Sequence, residues 1–207
     1  MQIAETNIQF NGGLRTRPQT KRIVLHHSAS GRNTTIQDIN RWHLNQGWAG
    51  IGYHYVIYPD GTIHRGRPEW ARGSHAYQDP QHDANSDGIG ICLIGNFQTE
   101  APTEAQMESL VWLIRDIRTR FPGVPVIGHK DVMPTACPGQ NFPWAELKKR
   151  LEEEKMAAEP WKVKIMQDAE EAGFIDLKMG HKPDEPAPKW FVLAVALNLI
   201  KALKGGK

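Results

Sequence analysis

Apolar positions along this chain run in two rhythms, one continuous and one periodic. Between Lys21 and His27 the apolar Ile23, Val24 and Leu25 follow one another without a polar break, as in a strand buried on both faces. The run stops at HHSASGRN, a loop. Thr34 and Gln37 then have the spacing of a capping box, in which hydroxyl and amide each satisfy a free backbone N–H, and a helix to about Asn45 is predicted. The segment GYHYVIYPDGTIHRG alternates aromatic and β-branched residues on either side of Asp60-Gly61. That pair tolerates the positive φ of a tight turn and predicts a hairpin. A long loop-like stretch from Arg65 to Gly88 precedes GIGICLIGNF, which reads as a second buried strand with Cys92 as a small apolar core residue.

After another capping-box pair, Thr103 and Gln106, the residues Leu110, Leu113, Ile114, Ile117 and Phe121 fall at helical spacing and predict an amphipathic helix of about five turns. Val124 to Ile127 is a short strand leading into GHKDVMPTACPG, and Trp144 to about Ala158 a charged helix. Strands alternating with helices make this an α/β protein with a central mixed β-sheet flanked by helices. The character changes near Glu159-Pro160, where short apolar patterns flank the Pro-rich GHKPDEPAPK. We expect one domain over residues 1–155, its core at about 20–152, and a small C-terminal helical module over 156–207.

The 207 residues carry 25 Lys+Arg against 23 Asp+Glu, a formal charge of +2, which is too balanced for phosphate-driven nucleic-acid binding. Residues Met1 to Pro18 have neither a basic start before an apolar run nor a small-residue cleavage site, so no secretory signal is read there and synthesis in the cytoplasm is expected. The longest apolar stretch, Trp190 to Ile200, is 11 residues long and contains Asn198, against roughly 20 for a membrane span. Two cysteines allow at most one bridge, so disulfides are not the framework, while nine histidines beside them raise the question of a metal.

Three segments end in histidine or cysteine where a sheet would deliver them together: LHHSAS, IGHKD and TACPG. A thiolate and two neutral imidazoles would give zinc three protein ligands and leave a fourth position open for chemistry. Strand alternation sends adjacent His26 and His27 to opposite faces, so at most one of them ligates. Spacing alone leaves a metal site and a purely structural use of these residues equally open.

The blocks RIVLHHSAS, INRWHLNQGW, GYHYVIYPDGTIHRGRPE, GSHA, SDGIGICLIGNF, TEAQMESL and GHKDVMPTACPG resemble, in order and spacing, the zinc-dependent N-acetylmuramoyl-L-alanine amidases of the phage-lysozyme type, whose fold the peptidoglycan recognition proteins share. The resemblance implies one zinc ion per chain held by His26, His129 and Cys137, with Tyr53 beside the metal stabilising an oxyanion. The family pattern has a lysine two residues before the cysteine. Here Thr135 stands in that place, and we read it as a hydrogen-bond donor to the oxyanion. His75 and Trp48 are expected at the substrate groove, with Arg65 and Arg67 pairing to peptide carboxylates. His54 and His43 are expected to be structural.

The implied activity is hydrolysis of the amide between N-acetylmuramic acid and L-alanine in bacterial peptidoglycan by a monomeric, endolysin-like enzyme released to the wall through a partner pore. The competing readings are a non-catalytic peptidoglycan-binding module and an intracellular muropeptide-recycling amidase. The C-terminal module is similar to a single, diverged wall-binding helical unit, or is a helical hairpin covering an apolar face.

Overall fold

The computed structural model describes residues 1–77, 79 and 83–152. The chain divides into two compact units, Met1–Leu147 and Lys148–Lys207, and the helical module expected over 156–207 lies outside the described residues. The first unit is built on β1 (Ile3–Ala4), β2 (Arg22–His27), α1 (Ile36–Asn45), β3 (Tyr55–Ile57), β4 (Ile63–Arg65), β5 (Gly88–Leu93), α2 (Glu104–Arg120) and β6 (Val126–Gly128). Residues 144–152 are helical. Among the described residues the strands form one sheet in the order β1-β4-β3-β5-β2-β6.

Parallel pairing places β2 between β5 and β6, and β3 beside β5, while β3 and β4 form the antiparallel hairpin. The sheet is therefore mixed, as expected. In the hairpin Ile57 faces Ile63, and Gly61, at φ +87°, takes the backbone conformation that a side chain resists. The short β1 pairs in parallel with Ile63 and His64 of β4.

The continuous apolar runs are the two central strands. Ile23, Leu25, Ile89, Ile91 and Leu93 alternate with Val24, His26, Gly90 and Cys92, and the side chains among them have essentially no exposure. On the second face, Val56 and Cys92 pack with Ile36 and Ile39 of α1. His26 is in register with Cys92 and so shares that face. Alternation turns His27 away, and its Nδ1 accepts from the Phe97 N–H at 3.0 Å.

Both long helices begin with capping boxes. At α2 it is the expected Thr103–Gln106 pair. At α1 the expected Thr34–Gln37 pair is corrected by one residue: Thr35 Oγ1 accepts from Asp38 N–H at 3.2 Å and Asp38 Oδ2 accepts from Thr35 N–H at 3.0 Å. A carboxylate in the first turn also favours the helix dipole, which an amide does not. Gln106 donates to the Ile57 and Ile94 carbonyls at 3.2 and 2.9 Å, tying α2 to the sheet.

His54 is fully buried and bonded on both sides: Nδ1 accepts from Gly90 N–H and Nε2 donates to the Ala71 carbonyl, each at 2.9 Å. Burial holds its pKa down at about 4. The unfolded chain binds this proton near pH 6.5 and the folded one only near 4, so stability is full above 6.5 and falls with pH through that window. We expect urea melts of metal-free protein to show about 2 kcal/mol less stability at pH 5 than at pH 7 from His54 alone. A flat profile contradicts this.

Candidate metal centre and cleft

The loops at the sheet bring the three proposed ligands to one point. His26 comes from the end of β2, His129 from the turn directly after β6, and Cys137 from the loop that follows. One donor atom from each lies within 4.8 Å of the others, with His26 Nδ1 at 3.8 Å from Cys137 Sγ. Tetrahedral zinc, with bonds near 2.0–2.1 Å to nitrogen and 2.3 Å to sulfur, places such atoms about 3.6 Å apart, so the cage fits such an ion. The donor chemistry fits as well. Burial keeps His26 far below the usual imidazole range, with neighbouring His75 and His129 adding to the effect, and brings His129 down to about 4. Both rings are therefore neutral at pH 7, with a lone pair to offer. Burial pushes the Cys137 thiol up to about 11, opposed by the hydrogen bond from His27 N–H to Sγ at 3.4 Å. A cation in the cage supplies the missing compensation for the thiolate.

The Tyr53 ring lies 5.0 Å from His26 and 5.3 Å from His43. Burial, with the Cys92 and Cys137 sulfurs nearby, holds its phenol well above the ordinary tyrosine range, so it remains a hydrogen-bond donor. Thr135 is exposed, and its Oγ1 accepts from the Cys137 N–H at 3.2 Å, which leaves its own proton available. His43 Nδ1 accepts from Gly52 N–H at 3.0 Å, holding the strand entry that carries Tyr53.

Two arms of a cleft meet at this point. The larger, about 540 Å³, is lined by Arg15, Arg72, Tyr77 and Met133 among others, and the smaller, about 290 Å³, by Trp42, Gln46 and Tyr53. Trp48, His75 and His129 line both. Trp48 stacks on His43 with ring centres 4.6 Å apart while leaving 38% of its surface exposed.

The groove role expected for Arg65 and Arg67 is corrected. Neither residue lines either arm. Arg65 binds Glu5 at 2.8 Å and the Tyr55 hydroxyl at 3.0 Å, securing the N-terminal strand. Arg67 is only 4% exposed and donates to the carbonyls of Gly50, Ile51 and Arg72. Its fork is consumed by the loop that presents Tyr53. Arg15 and Arg72 are the cleft arginines that sequence reasoning missed; Arg72 stood two residues before the GSHA block's Ser74, close enough to have been a signal.

The sequence profile of the N-acetylmuramoyl-L-alanine amidases matches residues 16–140. The chain belongs to this amidase family. It is 38% identical over 129 residues to the endolysin of Enterobacteria phage T3, a match covering 59% of this chain and 82% of the phage protein. It is 35% identical over 136 residues to peptidoglycan-recognition protein SC2 of Drosophila melanogaster, covering 60% of this chain and 71% of the fly protein. Among solved structures, the endolysin amidase LysCS from Clostridium intestinale aligns with a TM-score of 0.68 and 42% identity, over 73% of this chain and 95% of that one. The amidase match spans both histidines, the cysteine and Tyr53. No helix among the described residues is long and apolar enough to cross a membrane.

Proposed function

We propose that this chain is a zinc amidase that cuts the amide between the lactyl group of N-acetylmuramic acid and L-alanine in bacterial peptidoglycan, in the manner of an endolysin. The observation that carries this reading is the convergence of His26, His129 and Cys137 beside a two-armed cleft, both arms of which reach His129, in an amidase-family chain. Zinc, when bound there, lowers the pKa of water towards about 7 and polarises the scissile carbonyl.

The protein's own residues supply the rest. Tyr53, kept protonated by burial, donates a hydrogen bond to the oxygen on which negative charge develops, and Thr135 offers a second donor from the Cys137 loop. The scissile carbonyl is held where the two arms meet, beside His129 and Trp48. The larger arm offers Arg15 to the carboxylate-bearing stem peptide, while Arg72 in the same arm is held by Asp83 at 2.9 Å. The smaller arm, with Trp42 and Trp48, suits the faces of sugar rings.

Zinc-loaded full-length protein is expected to clear a suspension of purified sacculi, and a His129→Ala variant to lose that clearance by at least about a hundredfold. Tight binding to sacculi without clearance would support the binding-module reading instead. Activity confined to small soluble muropeptides would support the recycling one.

A further inference from the structure

His75 lines both arms of the cleft, and its nearly buried ring also faces a proposed metal ligand. It is 7% exposed, and its Nδ1 lies 3.1 Å from His26 Nε2. The ring has no freedom to turn away. A Cβ on Gly90 would sit 2.6–2.8 Å from its atoms and one on Gly73 2.5–2.7 Å from them, so the ring lies directly on two bare backbone positions. Asn85 fixes the backbone beneath it, its Oδ1 accepting from the N–H of His75 at 2.6 Å and of Ala76 at 2.8 Å.

Two nitrogens facing each other at this distance need one proton between them, and the surroundings say which carries it. His26 Nδ1 faces Cys137 Sγ, so the lone pair must be on that atom for it to ligate and the proton on Nε2. His75 Nε2 is buried and has no hydrogen-bond partner among the described residues. With the proton of the His26–His75 contact supplied by His26 Nε2, His75 Nδ1 is the acceptor and the proton of its own neutral ring is on Nε2.

We infer that His75 is a positioning residue for the metal centre: its Nδ1 accepts the His26 Nε2–H and so fixes His26 in the tautomer and ring orientation that aim Nδ1 at the metal. This rests on the zinc reading above. Ligating histidines commonly give their second N–H to a carboxylate or carbonyl, and losing that acceptor typically weakens metal binding 10–100-fold. Here the acceptor is a second imidazole, clamped by Gly73, Gly90 and Asn85.

The test compares zinc affinity of the full chain, by competition with a chromophoric chelator, for wild type, His75→Leu and His75→Asn. Leucine fills space without an acceptor, and it is expected to weaken zinc binding about 10–100-fold. Asparagine can set its carbonyl oxygen where Nδ1 was, and it is expected to stay within about threefold of wild type. Long-range ¹H–¹⁵N spectra of metal-free wild type should show the His26 proton on Nε2, a readout that survives should the leucine variant fail to fold. Equal affinity in both variants, or a His26 proton on Nδ1, overturns the inference. Failure of wild type to bind zinc overturns the metal reading itself, while the spectrum still reports on the hydrogen bond.

Discussion

Replacing Cys137 by serine is expected to abolish zinc binding at micromolar metal and to lower amidase activity on the order of 10³-fold or more, while leaving the fold intact. The two side chains are nearly isosteric, and Cys137 packs against the end of β2 with little exposure, so the loop has no steric reason to move. What changes is the donor. A thiol raised to about 11 by burial still yields its proton to a metal, whereas an alcohol in the same place does not. The same reasoning sets the pH dependence. His26 and His129 are neutral well below pH 6, so the proton displaced on binding comes from Cys137, and zinc affinity should rise about tenfold per pH unit between 6 and 8. Calorimetry in buffers of different ionisation enthalpy should count about one proton released. Undiminished zinc binding by the serine variant would contradict the ligand assignment.

The second large effect is expected for Tyr53→Phe, with kcat lowered about 10²–10³-fold, KM changed little and zinc content unchanged. The ring's packing on His26 and His43 survives the change, and only the hydroxyl is lost. Removing a group that stabilises charge appearing in the transition state lowers kcat without weakening substrate binding. A rise in KM at constant kcat would instead make Tyr53 a substrate-holding residue. Single-turnover kinetics on a soluble muropeptide separates the two.

Much of this architecture was legible because the central strands are buried on both faces and the hairpin turn has few alternatives to Asp60-Gly61. The alternation argument that separated His26 from His27 needed nothing beyond the strand period, and the two rings diverge as it requires. The first helix start was ambiguous for a local reason: Thr34 and Thr35 each have an acceptor three residues on, and only tertiary placement selects Thr35–Asp38. The two-residue β1 has no periodicity to read.

Long-range contacts explain the rest. A sequence shows that Arg67 is charged, but not that the carbonyls of Gly50, Ile51 and Arg72 converge on it. It shows His75 within a motif, but not that Gly90, far along the chain, is the floor on which its ring lies.

The central claim, hydrolysis of one particular amide, is tested most directly by mass spectrometry of the material that zinc-loaded wild-type protein releases from purified sacculi. The account predicts free stem peptides beginning at L-alanine, together with glycan chains whose lactyl groups end in carboxylates. New reducing sugar ends, cleavage within the peptide, or intact sacculi with the protein merely bound would contradict it.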